Sequence, residues 1–431
     1  MSGLPTGWVE TTIGSVISPA GERSTPGADD ARHYIGLEHI EAHTTRILGS
    51  QLASQIRSSA VSFQKDSVLY GRMRPYLNKV CLAPFDGIGS PELIVLPPSL
   101  GIRPRFLLYR ISHTDFVSFA MKHIEGDRPR VKWNQLADFP IDLPPVAEQD
   151  RIVAAIEEQF SRLDAAEASL QRAKRNVERM RRAVLAEAFP RGDELPTGWV
   201  EVAIGDVCRV VGGSTPKTSV DEYWDGPIPW VTPDDLSKDR SQYVTTGRRS
   251  ISQAGYDSCS TQMLPPGSVL YTSRAPIGYV AIARNDLCTN QGFKSFVLPE
   301  RLDSRFVYWQ LIWATPMIKD LGSGTTFKEI SGKVAGKIPL RVAPRAEQDR
   351  IVAAIEEQFS ILDSLFAAID HSLVRSAHLR RAILEQAFTG RLVPQNPSDE
   401  PASALLERIE QVRRDNLAAS KTKKGKVATP R

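Results

Sequence analysis

Two short clusters in each half of the chain concentrate guanidinium, amine and amide donors, the groups that grip phosphates and base edges. The first is Gly71-Arg72-Met73-Arg74-Pro75-Tyr76-Leu77-Asn78-Lys79, delivered by the strand-like Ser67-Val68-Leu69-Tyr70. An arginine can hold a guanine edge with two parallel N–H donors, and an asparagine can pair likewise with adenine. Arg72, Arg74, Tyr76, Asn78 and Lys79 are therefore candidate nucleic-acid contacts. A second cluster, Glu125 to Trp133, adds Arg128, Arg130 and Lys132. In the later half Ser268 to Tyr271 leads into Thr272 to Gly278, which carries Arg274, and Gly322 to Lys328 contributes Lys328. Glycine among cations and aromatics suits close approach to a polyanion. A strand feeding an arginine-bearing loop is equally what a solvated surface looks like; the recurrence of both clusters in both halves favours contact with DNA. Six Lys/Arg against one Glu between Gln171 and Arg182 could face a nucleic acid or a partner, or simply stabilise a helix C-terminus.

Motifs for catalysis are missing. Phe85-Asp86-Gly87-Ile88-Gly89 has the letters of a methyltransferase cofactor loop, but a strand-like ELIVL follows where a helix should begin, so the segment reads as a turn. None of the Pro-Pro pairs has the flanking residues of an adenine-methylating strand end. Gly212 to Thr218 carries proline where a phosphate loop needs the glycine before its lysine. No zinc-protease helix, nucleophile elbow or Cys-His pairing is present. Cys81, Cys208, Cys259 and Cys288 stand singly, as expected of free thiols rather than of a metal site. No catalytic, metal or directly bound cofactor residue is assigned.

The 431 residues suggest two or three domains, and 41% hydrophobic with 24% charged residues is a globular composition. A net charge of +4 excludes nothing, because DNA readers concentrate basic charge locally. The start MSGLPTGWVE has no signal-peptide pattern, and no apolar run approaches a bilayer span, so a soluble cytoplasmic protein is expected.

The elements that position the clusters are duplicated. LPTGWVETTIGSV from Leu4 returns as LPTGWVEVAIGDV from Leu195, and AEQDRIVAAIEEQFSRLD from Ala147 returns from Ala346 with one substitution. The interiors between these blocks share almost nothing beyond S-V-L-Y. Preserved flanks around divergent interiors imply one retained geometry serving two different tasks.

Prolines precede each second block, and apolar residues then recur at threes and fours, which predicts helices of about 40 residues. The stripe assigned to helix pairing or a partner interface comprises Ile152, Ile156, Phe160, Leu163 and Leu170, answered by Ile351, Ile355, Phe359, Leu362 and Ile369. Two such stripes should pair antiparallel about a pseudo-twofold axis. The expected fold is α/β (α+β): target-reading domains at 1–145 and 191–344, long helices at 146–190 and 345–390 forming a coiled-coil spacer, and a C-terminal short helix with a basic, disordered tail at 391–431.

Leu4-Pro5-Thr6-Gly7-Trp8, Tyr34-Ile35-Gly36-Leu37-Glu38, Pro144-Pro145-Val146-Ala147-Glu148-Gln149, Asn290-Gln291-Gly292-Phe293-Lys294 and Gly390-Arg391-Leu392-Val393-Pro394, in this order and partly in duplicate, resemble the specificity subunit of Type I restriction-modification systems. The second helix entry departs from the pattern, reading Ala-Pro-Arg-Ala-Glu-Gln. The resemblance implies two target recognition domains, each reading half of a split, asymmetric site in double-stranded DNA, with Asn290 and Lys294 added to the candidate contacts. It implies two methyltransferase subunits as partners, carrying S-adenosylmethionine and modifying adenine N6, and restriction (motor nuclease) subunits where these are present; no membrane is involved. A self-sufficient methyltransferase with an unrecognised site, or a coiled-coil scaffold that never touches nucleic acid, remain the alternatives.

Overall fold

A computed structural model describes residues 3–425 apart from 123, 125, 127–128, 190–191, 193, 240, 275 and 323–328, with side chains to residue 415. Arg128 and Lys328 lie outside the described residues. Two compact units emerge, and their boundary runs through both long helices: residues 1–169 with 372–431, and residues 170–371.

In the first unit, short strands form a five-stranded sheet in the order Arg23–Ser24, Ala60–Phe63, Gly87–Gly89, His33–Ile35, Gln51–Leu52, and a three-stranded sheet centred on Val68–Gly71. The Phe85 to Gly89 segment is thus a bend running into a buried strand, not a turn throughout: Gly87–Gly89 pairs with Ala60–Phe63 and with His33–Ile35. A Cβ on Gly87 would lie 2.6 Å from the His33 carbonyl, so glycine is required by close strand approach rather than by a cofactor. The second unit repeats the plan with a five-stranded sheet around Val269–Tyr271 and a three-stranded sheet around Trp224–Val231.

Each unit is closed by the same clamp. Val9–Thr12, just after the L-P-T-G-W segment, pairs antiparallel with Pro140–Leu143, and Val200–Ala203 pairs with Pro339–Val342. The repeated glycine explains itself here: Gly7 and Gly198 have φ of +82° and +85°, and an added Cβ would come within 3.1 and 3.2 Å of Pro145 and Pro344. The prolines end the second strand of the clamp and start a helix where missing amide donors do no harm. Helices then run over Val146–Ala188, 43 residues, and Arg345–Phe388, 44 residues, each about 65 Å long at 1.5 Å per residue.

The first residues of the apolar stripe in each helix face a domain core. Ile152 and Ile156 are buried in the first unit's core and Ile351 and Ile355 in the second's, with Phe160 and Phe359 packed against those cores. Tyr109 meets Phe160 at 5.8 Å and Trp309 meets Phe359 at 4.6 Å, so the first turns of each long helix are held by their own domain. The same cores also take in the last turns of the other helix, through Leu384, Ala387 and Phe388 in the first unit and Leu185 and Phe189 in the second. Leu362 and Ile369 are buried; Leu163 and Leu170 are half-buried.

Side-chain pairs between the helix segments include ion pairs and polar contacts. In the first unit Arg380 bonds Asp164 at 2.5 Å and Glu167 at 3.3 Å, and Ser376 donates to Glu167 at 2.5 Å. In the second, Lys174 bonds Asp370 at 2.6 Å and Arg181 bonds Asp363. Within each unit the numbers rise along one segment as they fall along the other, so the segments are antiparallel. A third helix, Ala402–Gly425, belongs to the first unit, where Arg413 donates to the Gly14 carbonyl at 3.0 Å.

Candidate nucleic-acid interface

Among the described residues, the two donor clusters of the first half come together in the structure, and in the second half the loop carrying Arg274 meets Glu329 and Ile330, just after the second cluster. In the first unit the loop after Val68–Gly71 is tight: Arg74 and Asn78 both take left-handed backbone, with φ of 52° and 42°, on either side of a single turn at Pro75–Leu77. The amide of Arg74 donates to the Pro129 carbonyl at 2.8 Å, Met73 bridges Arg130, and the Val131 amide donates to the Arg72 carbonyl at 3.0 Å. Arg72 in turn donates its amide to the Glu92 carbonyl at 2.9 Å. Arg74, Tyr76, Arg130 and Lys132 are exposed on this surface, while Arg72 and Lys79 are half-buried. The Lys79 ammonium donates to the Leu37 carbonyl at 2.5 Å.

Asn78 is a correction. It is only 6% exposed, and its amide donates to the Ser112 carbonyl at 2.7 Å. The left-handed backbone that asparagine tolerates turns this side chain into the protein, so it fastens the loop instead of reading a base.

Beside this surface a cavity of about 280 Å³ is lined by Pro19, Arg23, Val61, Arg72, Leu93 and Trp133 among others. The buried Nε of Arg72 has no hydrogen-bond partner among the described residues.

The second unit builds the same junction from different side chains. Ser273 donates its amide to the Gly292 carbonyl at 2.7 Å, the Ile330 amide donates to Ser273 at 2.9 Å, and Arg274 bridges Glu329. The Arg274 guanidinium lies 3.9 Å from the Glu329 carboxylate. Lys294 is half-buried next to them, and burial pushes its ammonium pKa down, with Glu329 pulling it back up. Asn290 accepts a hydrogen bond from the Gly292 amide at 2.9 Å and so shapes the turn between the two.

Two kinds of residue escape a reading of cations alone. Glu92 binds Arg130, and Glu329 forms a looser ion pair with Arg274. Gln149 and Gln348 are buried at the helix entries: Gln149 accepts from the Arg103 amide at 2.8 Å and donates to the Pro144 carbonyl at 3.0 Å, and Gln348 accepts from Asp303 and donates to Ala343, both at 2.9 Å. Their retention in both copies of the E-Q phrase is the signal that could have found them. Among the described residues no cluster suited to a metal ion occurs, and no helix is long and apolar enough to cross a membrane.

This duplicated architecture, with strand clamps feeding long helices and divergent junctions beside them, agrees with what comparison finds. Residues 196–369 match the model of the Type I restriction modification DNA specificity domain. The MjaIX specificity subunit of Methanocaldococcus jannaschii is 38% identical over 164 residues, which are 38% of this chain and 38% of that protein. The EcoKI specificity subunit of Escherichia coli K12 is 23% identical over 364 residues, 76% of this chain and 74% of its own. The match to the M. jannaschii relative, like that to the E. coli EcoDI subunit at 44% of its length, spans less than half of the relative. A structure solved for complex assembly and conformational transition of the Type I R-M system superposes with a TM-score of 0.79 at 26% identity, covering 91% of this chain and all of that one. The HsdS subunit of Thermoanaerobacter tengcongensis gives 0.59 at 26% identity, over 90% and 98%. Residues 196–369 thus match a Type I restriction modification DNA specificity domain, and over nine-tenths of its length the chain shares the fold of a solved Type I R-M structure.

Proposed function

We propose that this chain is the DNA-reading subunit of a Type I restriction-modification complex, recognising a bipartite, asymmetric site and positioning two adenine-N6 methyltransferase subunits, with restriction subunits where present, upon it. The observation that carries this reading is the junction found in each unit, where two sequence-distant segments are stitched by backbone hydrogen bonds and present arginines chosen differently in the two halves. Shared clamps with unshared reading loops are what two half-sites of different sequence require. Backbone stitching fixes the direction in which each side chain leaves the surface, which base readout needs more than phosphate contact does. Arg74, Tyr76, Arg130 and Lys132 in the first unit, and Arg274 and Lys294 in the second, are the proposed DNA contacts among the described residues. The chain itself performs no chemistry in this reading; S-adenosylmethionine is carried by the methyltransferase partners, which take the target adenine out of the duplex.

The test is a domain exchange. Replacing Ile17 to Phe139, the interior of the first clamp, with the corresponding interior of a relative should alter one half of the methylated sequence in host DNA and leave the other unchanged. Alteration of both halves would defeat the modular reading, and methyl transfer by the purified chain alone would defeat its non-catalytic part.

A further inference from the structure

Each junction contains a carboxylate where a polyanion is meant to dock, which is electrostatically unfavourable unless the carboxylate serves the arginine beside it. In the first unit Glu92 receives the Arg130 Nε at 3.1 Å on one oxygen and Nη2 at 3.0 Å on the other. This is a bidentate pair made with the side edge of the guanidinium. The far edge, Nη1 with the second Nη2 proton, is left over, and it is the edge that can give two parallel donors to guanine O6 and N7. The Arg130 side chain is 56% exposed and that of Glu92 only 27%, so the carboxylate lies beneath the arginine. Glu92 is itself fixed: its carbonyl accepts from the Arg72 amide at 2.9 Å, and its amide donates to Ser90 Oγ at 3.2 Å.

The second unit arrives at a related pair by other positions. Its arginine comes from the first of the two bridged segments, Arg274, and its carboxylate from the second, Glu329, whereas in the first unit the second segment supplies the arginine, Arg130. Different placements with a related outcome, a carboxylate beside one arginine at each junction, bidentate at Glu92 and 3.9 Å away at Glu329, point to a requirement of the task rather than to inheritance from the duplication.

Resting on the DNA-reading assignment above, we infer that Glu92 and Glu329 are positioning residues for specificity: each aims an arginine, Arg130 or Arg274, at one base pair of its half-site, guanine being the base whose edge fits the free end of the guanidinium. A flexible arginine loses rotamer freedom on binding and settles on phosphates of any sequence; one already held by a carboxylate pays less of that ordering cost and is directed at one base edge. The carboxylate also repels the phosphates, which lowers affinity for DNA in general and widens the gap between right and wrong sequences.

The experiment uses the chain assembled with its methyltransferase subunits, and duplexes carrying the mapped target or each single base-pair change in it. Arg130→Ala should reduce discrimination at one base pair by roughly tenfold. Glu92→Ala should reduce discrimination at the same base pair, leave the others alone, and raise affinity for unrelated DNA; Glu92→Gln, which keeps shape and one acceptor, should lie between, and serves if the alanine variant fails to fold. The double variant should be no worse at that base pair than Arg130→Ala alone. Glu329→Ala and Arg274→Ala should repeat this in the other half-site. A Glu92 variant that changes affinity for every duplex by one factor, while Arg130→Ala still relaxes one base pair, overturns the positioning role and leaves the DNA-contact reading standing. Unchanged affinity and discrimination in Arg130→Ala would remove both together.

Discussion

Arg380 holds Asp164 at 2.5 Å in the first unit, and the residues 199 positions removed from each, Arg181 and Asp363, hold one another in the second. Arg380 also lies over the Phe160 ring at 5.0 Å, and Arg181 over Phe359 at 5.6 Å, the same pair under the same shift. The duplication has therefore preserved a reciprocal contact: each helix gives the arginine of one pair and the aspartate of the other. Because these groups are partly exposed, each pair should contribute only about 0.5–1 kcal/mol. Arg380→Ala should cost that much in a urea titration. Arg380→Asp should cost more, since it faces Asp164 and Glu167, and adding Asp164→Arg should recover most of the loss. Failure of the double variant to recover would show that the pair does not set the register of these segments.

The buried glutamines should matter more. Gln149→Ala strands the Arg103 amide and the Pro144 carbonyl, and Gln348→Ala does the same to Asp303 and Ala343. Leaving buried polar groups unsatisfied costs about 1–3 kcal/mol per group. Each variant should lower the thermal midpoint by several degrees, and hydrogen exchange should report the loss in the unit that contains it. Wild-type midpoints would mean that water replaces the amide.

The flanks of the repeat were legible because backbone geometry demands particular residues there. Gly7 with Pro145, and Gly198 with Pro344, are a turn and the ring it touches, and neither admits many substitutes. The long helices were legible from their stripe, but the partner of the stripe was not: an apolar face at threes and fours does not say whether it meets a sheet, a helix or both. The ionic contacts were invisible for the opposite reason, since Asp164 and Arg380 read on a helical wheel as solvated charge. At the candidate site, cation density pointed to the right segments but could not distinguish Arg74, which faces outward, from Asn78, which folds inward.

That distinction gives a paired test. Asn78→Ala removes the bond to the Ser112 carbonyl and places a residue less suited to a φ of 42° at that position, so it should lower stability by about 1–2 kcal/mol. Its effect on DNA binding should follow from loop disorder and disappear when the site is fully folded. Arg74→Ala should leave stability nearly unchanged and, if the guanidinium meets a phosphate, reduce the slope of log affinity against log salt by about 0.9. Fluorescence-detected unfolding and binding at several salt concentrations separate the two. An Asn78 variant of wild-type stability with a changed base preference would reverse the assignment.

The two units also differ in how they should respond to acid. Where the first carries Arg110, His113 and Asp115, the second carries Gln310, Trp313 and Thr315 at positions 200 residues further on. Asp115 accepts from Arg110 at 2.8 Å, lies 2.8 Å from His113 Nδ1, and accepts from the Phe116 amide at 2.6 Å. Burial pushes its carboxyl upward, but the hydrogen bonds from His113 and Arg110 outweigh this and hold it well below the usual carboxylate range. A carboxyl depressed in the folded state contributes stability above its unfolded value, about 3.9, and that contribution is lost as pH falls toward the folded value. Because the Asp115 side chain is 47% exposed, solvent screening keeps the contribution to about 1 kcal/mol. The first unit should therefore lose stability below about pH 4 through a group the second lacks. Asp115→Asn should be less stable than wild type at neutral pH, and the difference should shrink as pH falls below that value. Hydrogen exchange of the segment Pro104–Ser112 across this range provides the measurement. A gap of constant size at every pH would mean that Asp115 acts through packing and its amide contact, with no part played by its charge.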